Sequence, residues 1–340
     1  FKPEISNSIE GGLDWRMFKQ RFGLDLAIYN NITRNQILDV PMDQTTGYTK
    51  ATMNSGKVRN RGIELQLDGT PVKTKNFTWN STFTWAKNYN KVLSLAAGLT
   101  DGQTIAYTGG TNCALIAKVG GSIGDIYGYK LKRAPDGQVV WKDGITARTT
   151  EFEYVGNAYP AWKAGFSNEF SYKNIRVSIL FDGQWGGIVY SQTHHKMTEH
   201  GTLKHTLKYR ENPNFEVVGE GVMLDERGQY VPNNVPISVS KYYADYWRRA
   251  NVETNSFDAS FLKLREARIE YTIPSAGLNK IGIERLTLAL YGRNLAMWTK
   301  DFPVYDPEVA TLNNGTIVPG SEMGQLPSTR TMGFNLTLKF

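Results

Sequence analysis

The sequence predicts an all-β fold: the C-terminal portion of an antiparallel transmembrane β-barrel, with about nine or ten strands. Apolar and polar residues alternate in segments along the chain, and the connections between these segments alternate between short and long. The chain also ends in such a segment, since every second residue from Met332 to Phe340 is large and apolar. Successive side chains of a strand point to opposite faces, so one face of this strand suits lipid.

Eight similar segments precede the last one. They lie at 9–18, 22–29, 63–68, 77–85, 164–172, 175–181, 261–273 and 286–290. In the fourth, Phe77, Trp79, Phe83 and Trp85 share one parity, which only Ser81 interrupts. Segments of this kind, about ten residues long, are typical of strands that cross a bilayer at a tilt.

The connections between the segments give the orientation. Residues 19–21, 73–76, 173–174 and 275–282 form short turns, and 31–57, 91–159, 187–257 and 300–328 form long loops. Outer-membrane barrels have short periplasmic turns and long extracellular loops. If Phe340 is periplasmic, counting back places Phe1 outside, and such a chain cannot close by itself. We therefore expect the remaining strands and a plug to be absent from residues 1–340.

Composition and charge exclude several classes of protein. The chain has 340 residues, and no apolar run approaches the roughly 18 residues that a membrane helix requires. The net charge is +7, but no basic run exceeds two residues, which argues against nucleic-acid binding. The single Cys113 excludes an internal disulfide. Aromatic residues make up 12% of the chain, as membrane-interface girdles or ligand-contacting loops would require.

Seven segments, in order along the chain, carry a family resemblance. They are 54–64, 120–129, 155–160, 258–274, 290–299, 305–309 and 326–331. These segments resemble the SusC/RagA family of TonB-dependent outer-membrane transporters. The resemblance implies a barrel of about 22 strands with an N-terminal plug. It also implies active import of an oligosaccharide or peptide together with a SusD-like surface lipoprotein, powered by TonB, ExbB and ExbD through the missing N-terminal part. It implies no enzyme activity and no cofactor.

Candidate substrate contacts lie in the long loops. Trp185, Tyr190 and Tyr305 could stack on sugar rings or pack on peptide side chains, and Asp306 could bind a polar substrate group. The alternative is that loop aromatics pack loop against loop or against a partner protein, and that Asp306 has a structural role. That alternative is favoured, because loops of this size need small cores of their own.

Other candidates concern the membrane and metal binding. Trp15, Trp79, Trp85 and Trp298 are expected at the two membrane interfaces. Phe340 resembles the terminal aromatic by which the outer-membrane assembly machinery recognises its clients. All four histidines lie within residues 194–205, but a solvated loop is favoured over a zinc site because, apart from Glu199, no Cys or carboxylate accompanies them.

Three readings compete with active import. A soluble all-β glycan-binding module or a hydrolase would need water on the polar face of each strand, and a passive porin would need no plug. We identify neither a Gly-x-Ser-x-Gly nucleophile elbow nor a His-Glu-x-x-His motif, and no His lies near Cys113. The Gly-rich segment 120–124 is interpreted as a tight turn before a strand, since it lacks the Lys-Ser/Thr of a phosphate-binding loop.

Overall fold

A computed structural model describes residues 2–41, 44–48, 50–54, 56–96, 102–108, 110–274, 278, 282–309, 311–313 and 316–340. Its main element is a nine-stranded antiparallel sheet in which each strand pairs with the next along the chain. The strands are β1 (Ile5–Met17), β2 (Phe22–Arg34), β3 (Lys57–Lys73), β4 (Phe77–Ser94), β5 (Trp162–Tyr172), β6 (Ile175–Trp185), β7 (Phe261–Ile273), β8 (Arg285–Thr299) and β9 (Thr331–Lys339). The predicted number and order of strands are confirmed.

The register gives the sheet two different faces. Between β8 and β9, Leu288 pairs with Leu336 and Leu290 with Phe334, whereas Thr287 pairs with Thr337 on the opposite face. The apolar face is open to the surroundings, since Phe334 is 78% exposed. Directly paired residues share a face, so the alternation predicted from the sequence extends across all nine strands. Neither β1 nor β9 pairs with a further strand among the described residues, and the sheet is open.

The connections alternate in length as predicted. Residues 18–21, 74–76 and 173–174 form short turns, and 35–56, 95–161, 186–260 and 300–330 form long ones. In the first turn Lys19 and Gln20 adopt positive φ, which lets the chain reverse within four residues. Most of the predicted turn 275–282 lies outside the described residues, as does Phe1, so its predicted position cannot be compared with the structure.

The long loops carry their own short elements. The short strands are Ile37–Pro41, Lys50–Asn54, Gln103–Thr108, Cys113–Ala117, Asp125–Gly128, Val140–Lys142, Ile145–Thr146, Glu153–Asn157, Ile188–Ser191, Glu216–Val218, Val222–Leu224, Tyr230–Pro232, Pro236–Ser238, Ser256–Asp258, Thr311–Asn313, Thr316–Val318 and Ser321–Glu322. The helices are α1 (Gln192–Glu199) and α2 (Val239–Tyr246), with 3-10 turns at Gln44–Thr46, Lys204–Leu207, Pro213–Phe215 and Glu253–Asn255. No helix in the described part of the chain is long and apolar enough to cross a membrane.

The main hydrophobic core lies in the loops and not in the sheet. Cys113, Leu115 and Ile126 come from the 95–161 loop, Tyr190 and Val252 from the 186–260 loop, and Val318 from the last loop. All are at least 97% buried. Because apolar burial is the main stabilising term in folding, this cluster joins three long loops into one packed body.

Candidate functional site

One face of the sheet is covered by the loops, and we call it the inner face. Lys263 of β7 reaches the 300–330 loop from this face, and Asn90 of β4 accepts a hydrogen bond from Ile123 N of the 95–161 loop at 2.9 Å. Polar residues line it, including Asp14, Asp25, Glu64 and Lys163, which border a groove of about 670 Å³. The opposite, apolar face is the outer face. An inner face of this kind offers hydrogen bonds to water or to a polar solute.

A network of charged residues attaches the last loop to the inner face. Lys263 Nζ donates to both oxygens of Asp306 at 2.7 Å and to Glu308 Oε2 at 2.6 Å. Arg265 donates to Glu308 at 2.7 Å and to Asp182 of β6 at 2.6 Å. The side chains of Lys263 and Asp306 are each only 3% exposed. The network thus joins two strands and one loop through a buried ion pair.

The electrostatics of this network favour the charged forms. Burial alone would raise the pKa of the Asp306 carboxyl, but hydrogen bonds from Lys263 outweigh it and hold that pKa below its ordinary value. The pKa of Glu308 is lowered in the same way, against burial, by hydrogen bonds from Lys263 and Arg265. Both carboxylates therefore stay ionised near neutral pH.

Glu322 forms a second contact between the loops. It is fully buried and accepts hydrogen bonds from Ser191 Oγ and Thr193 Oγ1 at 2.5 Å, and from Gly324 N at 2.6 Å. The Tyr305 hydroxyl also donates to it, and burial together with this carboxylate raises the pKa of Tyr305 to about 12. Ser191 in turn caps α1 by accepting from His194 N at 3.0 Å. Glu322 thereby fixes the start of α1 against the last loop.

The four predicted substrate contacts lie in different environments. Tyr190 is in the loop core, Tyr305 bonds Glu322, and Asp306 pairs with Lys263. Trp185 lies on the outer face, where it stacks on Trp162 with ring centroids 6.3 Å apart. Tyr305 thus contacts Glu322 of its own loop and Asp306 contacts Lys263 of β7, whereas Trp185 lies on the opposite face of the sheet. Substrate binding by these four residues stays a prediction.

The membrane-interface candidates share the outer face. Trp15 and Trp79 lie toward the short turns, Trp85 is near the middle of β4, and Trp298 lies at the long-loop end of β8. Trp15 and Trp298 are each about half exposed. Phe340 follows β9 and is 77% exposed. Their roles at the interfaces and in assembly stay predictions.

His194 and His195 are buried, so the expectation of a solvated loop is wrong for these two histidines, whereas His200 is exposed. His194 and His195 lie on α1 and are 2% and 5% exposed, because α1 packs against the segment that follows α2. His194 Nδ1 donates to Asn255 Oδ1 at 2.9 Å, and its ring stacks on His205 at 5.3 Å. Burial lowers the pKa of His194 to about 4. The described residues contain no group of three or more His, Cys, Asp or Glu arranged to hold a metal ion.

Aromatic side chains of the 186–260 loop pack on one another. Tyr242, Tyr243, Tyr246 and Trp247 form ring contacts with centroids 4.5 to 5.9 Å apart. The Tyr243 hydroxyl donates to the carbonyl oxygens of His205 and Lys208 at 2.9 and 2.8 Å. Trp141 of the 95–161 loop stacks on Tyr242 and Tyr246 with ring centroids 6.1 Å apart, so the favoured packing of loop against loop is observed for these two tyrosines.

The buried His194 predicts a pH dependence of this loop. Its folded pKa of about 4 lies below the unfolded value of about 6.5, so the unfolded state binds more protons between these values and stability falls as pH decreases. We expect α1 to be destabilised by about 2 kcal/mol at pH 5 relative to pH 7.5. Hydrogen exchange of α1, corrected for intrinsic rates, would measure this. In His194→Gln the same comparison should show a smaller difference, and an unchanged difference would contradict the prediction.

The Gly-rich segment forms a turn that leads into the strand Asp125–Gly128, as predicted. Residues 120–124 also match the Gly-x-Ser-x-Gly pattern of hydrolase nucleophiles, so the expectation that the sequence lacks this pattern is wrong. Ser122 Oγ, however, donates to Asn90 Oδ1 at 3.1 Å, and Ser122 N donates to Asp125 at 2.8 Å. A nucleophile elbow joins a strand to a helix, whereas this turn precedes a strand. Ser122 therefore holds the turn against β4.

Sequence reasoning missed most of the charge network. Lys263 and Arg265 lie in a strand whose sequence predicts a membrane-spanning segment, and Glu322 lies in a segment without a recognisable functional motif. A signal was present for Lys263, since it alternates with Leu262 and Leu264 and therefore faces the inner side, where a charge needs a partner. Which carboxylate supplies that partner depends on the path of the loop.

Comparisons with known proteins agree with this architecture. Residues 1–295 match the family model described as TonB dependent receptor-like, beta-barrel. TonB-dependent receptor P26 of Formosa agariphila is 29% identical over 367 residues, covering 99% of this chain and 34% of that protein. TonB-dependent receptor SusC of Bacteroides thetaiotaomicron is 24% identical over 202 residues, covering 56% of this chain and 20% of that protein.

A solved structure shares the fold. The RagAB peptide transporter superposes with a TM-score of 0.70 at 20% identity, covering 99% of this chain and 35% of that one. Nearly the whole of this chain aligns with curated relatives such as TonB-dependent receptor P26, but it spans only about a third of their length. The resemblance to SusC/RagA proteins is confirmed, and the chain belongs to the TonB-dependent receptor-like β-barrel family of the bacterial outer membrane.

Proposed function

We propose that this chain forms part of the wall and the outer mouth of a TonB-dependent importer of a large nutrient, an oligosaccharide or a peptide. One observation carries the proposal: the polar inner face of the sheet is also the face onto which the long loops fold, held there by the network around Lys263. A lumen for a hydrated solute needs such a lining, and selection at its mouth needs ordered loops. No covalent chemistry by this chain is part of the proposal.

The chain is proposed to be the C-terminal part of a larger barrel, with the plug and the remaining strands supplied by the rest of the protein. TonB, ExbB and ExbD would act through that other part. The short turns would face the periplasm together with the C-terminus, and the long loops would be extracellular. The asymmetry of the connections and the matched third of the relatives support this arrangement.

The proposed partner is a SusD-like surface lipoprotein docked on the long loops. The similarity to SusC supports this partner. Because the structurally similar RagAB protein is a peptide transporter, the proposed substrate is either a peptide or an oligosaccharide. The packed body formed by the three long loops would offer that lipoprotein a rigid surface.

Uptake by cells tests the proposal. A strain with the full-length gene deleted, complemented with wild-type gene, is supplied with panels of labelled oligosaccharides and peptides, with and without a functional TonB. We expect uptake of one class of compound to require both the gene and TonB. Uptake that needs the gene but not TonB would indicate a passive porin, and recovery of the protein in buffer without detergent would indicate a soluble module. Either result contradicts the proposal.

A further inference from the structure

We propose that the outer face of β2–β4 carries a binding site for a lipid whose headgroup bears phosphate. Five basic residues form the site: Arg34, Arg59, Arg61, Lys87 and Lys91, which we call the outer basic cluster. The proposal uses the family's membrane location and the orientation proposed above, but not the import activity. A failure of the import proposal would leave its test unchanged.

The register places the cluster on the outer face. Arg61 pairs directly with Tyr89 and Arg59 with Lys91, while Ile63 pairs with Lys87. Arg61 shares its face with Ile63, two residues later along β3, and that face continues into apolar residues. Arg34 lies on the same face of β2 as Ile28, which pairs with Ile63. The basic residues therefore lie on the same face of the sheet as the apolar residues that contact lipid acyl chains.

The height of the cluster matches the edge of a membrane. Lys87 lies eight residues from Trp79 along β4. At about 3.3 Å per residue and a tilt of about 40°, this is about 20 Å along the membrane normal, and Lys91 lies about 10 Å farther. The apolar band of such barrels is about 25 Å tall. The cluster thus spans the headgroup level at the long-loop end.

The cluster has no counter-charge of its own. None of its five side chains forms an ion pair or a side-chain hydrogen bond with any residue that the structure describes, and the outward positions of β1–β4 include no carboxylate. Arg59 Nε is buried without a hydrogen-bond partner. Arg61 and Lys87 lie over the ring of Tyr89 at 5.6 and 4.8 Å. Unpaired guanidinium groups close together match the oxygens of a phosphate.

An apolar groove adjoins the cluster. It has a volume of about 940 Å³, and Ile9, Leu13, Ile28 and Ile63 line it together with Arg61, Lys87 and Tyr89. Gly11 forms part of its floor, and the space above its Cα is open. A groove with apolar walls and a basic end fits an acyl chain joined to a phosphorylated headgroup. A protein partner would need no such apolar continuation, and for this reason we favour a lipid.

The neighbouring sector of the sheet differs. At the same end of β5, β6 and β8 the outward residues are Trp162, Trp185 and Trp298, and the one lysine there, Lys300, pairs with Asp258 at 2.7 Å. The basic cluster is therefore a local feature of β2–β4 and not a general property of the membrane edge.

Lipid binding to the purified full-length protein tests the inference. The protein in a neutral detergent is titrated with bisphosphorylated lipid A, with fully dephosphorylated lipid A and with inorganic phosphate, and binding is followed by native mass spectrometry. The test variant is Arg59→Gln/Arg61→Gln/Lys87→Gln. The matched control removes the same charge at the short turns, in Lys73→Gln/Lys75→Gln/Lys173→Gln. Heat-modifiable migration on a gel verifies folding. If the triple variant does not fold, the single variant Lys87→Glu replaces it in the test.

We expect the test variant to bind bisphosphorylated lipid A at least about 10-fold more weakly, since each basic residue near a membrane surface contributes to anionic lipid binding. The control should bind like wild type, and dephosphorylated lipid A should bind weakly to both. Gly11→Phe, which fills the groove without removing charge, should also weaken binding. Equal binding by variant and wild type, equal loss in the control, or inorganic phosphate binding as tightly as lipid A would overturn the inference. Loss of a co-purifying protein with lipid binding unchanged would make the cluster a protein-docking surface and also overturn it.

Discussion

Replacing Asp306 with alanine is expected to release the 300–330 loop from the inner face and to destabilise its attachment by about 3–5 kcal/mol. The reason is that Lys263 would keep its charge at a site where it is 3% exposed and would lose the partner bonded at 2.7 Å through both oxygens. Because Glu308 would still contact Lys263, we expect a loss near the lower end of this range. Hydrogen exchange across 300–330 and limited proteolysis of the folded protein would measure the release.

Two variants separate loss of charge from loss of packing. Lys263→Met/Asp306→Leu removes both charges and should recover much of the stability, because replacing a whole buried pair by apolar residues is often neutral. Lys300→Met breaks the more exposed pair with Asp258 and should cost about 1 kcal/mol or less. If Lys300→Met releases the loop as much as Asp306→Ala does, the buried pair is not the anchor.

The same contact has a defined pH dependence. The pKa of Asp306 is lowered in the folded protein, so its contribution is fully present above the unfolded value of about 3.9 and is lost as pH falls through the folded value. The attachment of the loop should therefore weaken only in acid, below about pH 4.

Replacing Leu336 with arginine is expected to destabilise the folded barrel by about 2–4 kcal/mol. Leu336 is in the middle of β9, on the outer face, and pairs with Leu288. A guanidinium group there would lie in the hydrocarbon region without a partner. Reversible urea unfolding of the full-length protein in lipid vesicles would give the free energy, and the amount of folded protein in the outer membrane would report assembly.

The matched control is Asn335→Arg, one residue away on the opposite face. Asn335 pairs with Ala289 on the inner face, where an arginine can reach water. We expect this variant to lose less than about 1 kcal/mol. Similar losses in the two variants would contradict the assignment of the outer face to lipid.

Much of the fold was predictable because its signals are local. Every second residue of the last segment is apolar, and this alone gave the outward face of β9 that the structure has. The alternation of short and long connections likewise needed only the positions of the strands. The sequence shows the interruption at Ser81 but does not explain it. In the structure Ser81 pairs with Asn168, and the Asn168 side-chain oxygen accepts a hydrogen bond from Trp79 Nε1 at 3.0 Å on the outer face.

The long loops were less predictable. Tyr190 and Trp185 were grouped as loop aromatics, yet one is in the core and the other on the outer face, because Trp185 still belongs to β6. The histidines appeared solvated because four polar rings in twelve residues look hydrophilic. The burial of His194 arises from α1 packing near Asn255, a contact between residues 61 positions apart.

The sequence by itself determined the strands, their faces, their order and the family, since a period of two and the length of a connection can be seen along the chain. Only the tertiary structure decided which charges meet. Lys263 pairs with Asp306, 43 residues away, and Ser191 bonds to Glu322, 131 residues away. Arg61 and Lys87 both lie over the ring of Tyr89. Pairing of this kind depends on how separate loops and strands pack in space, and no local pattern in the chain encodes it.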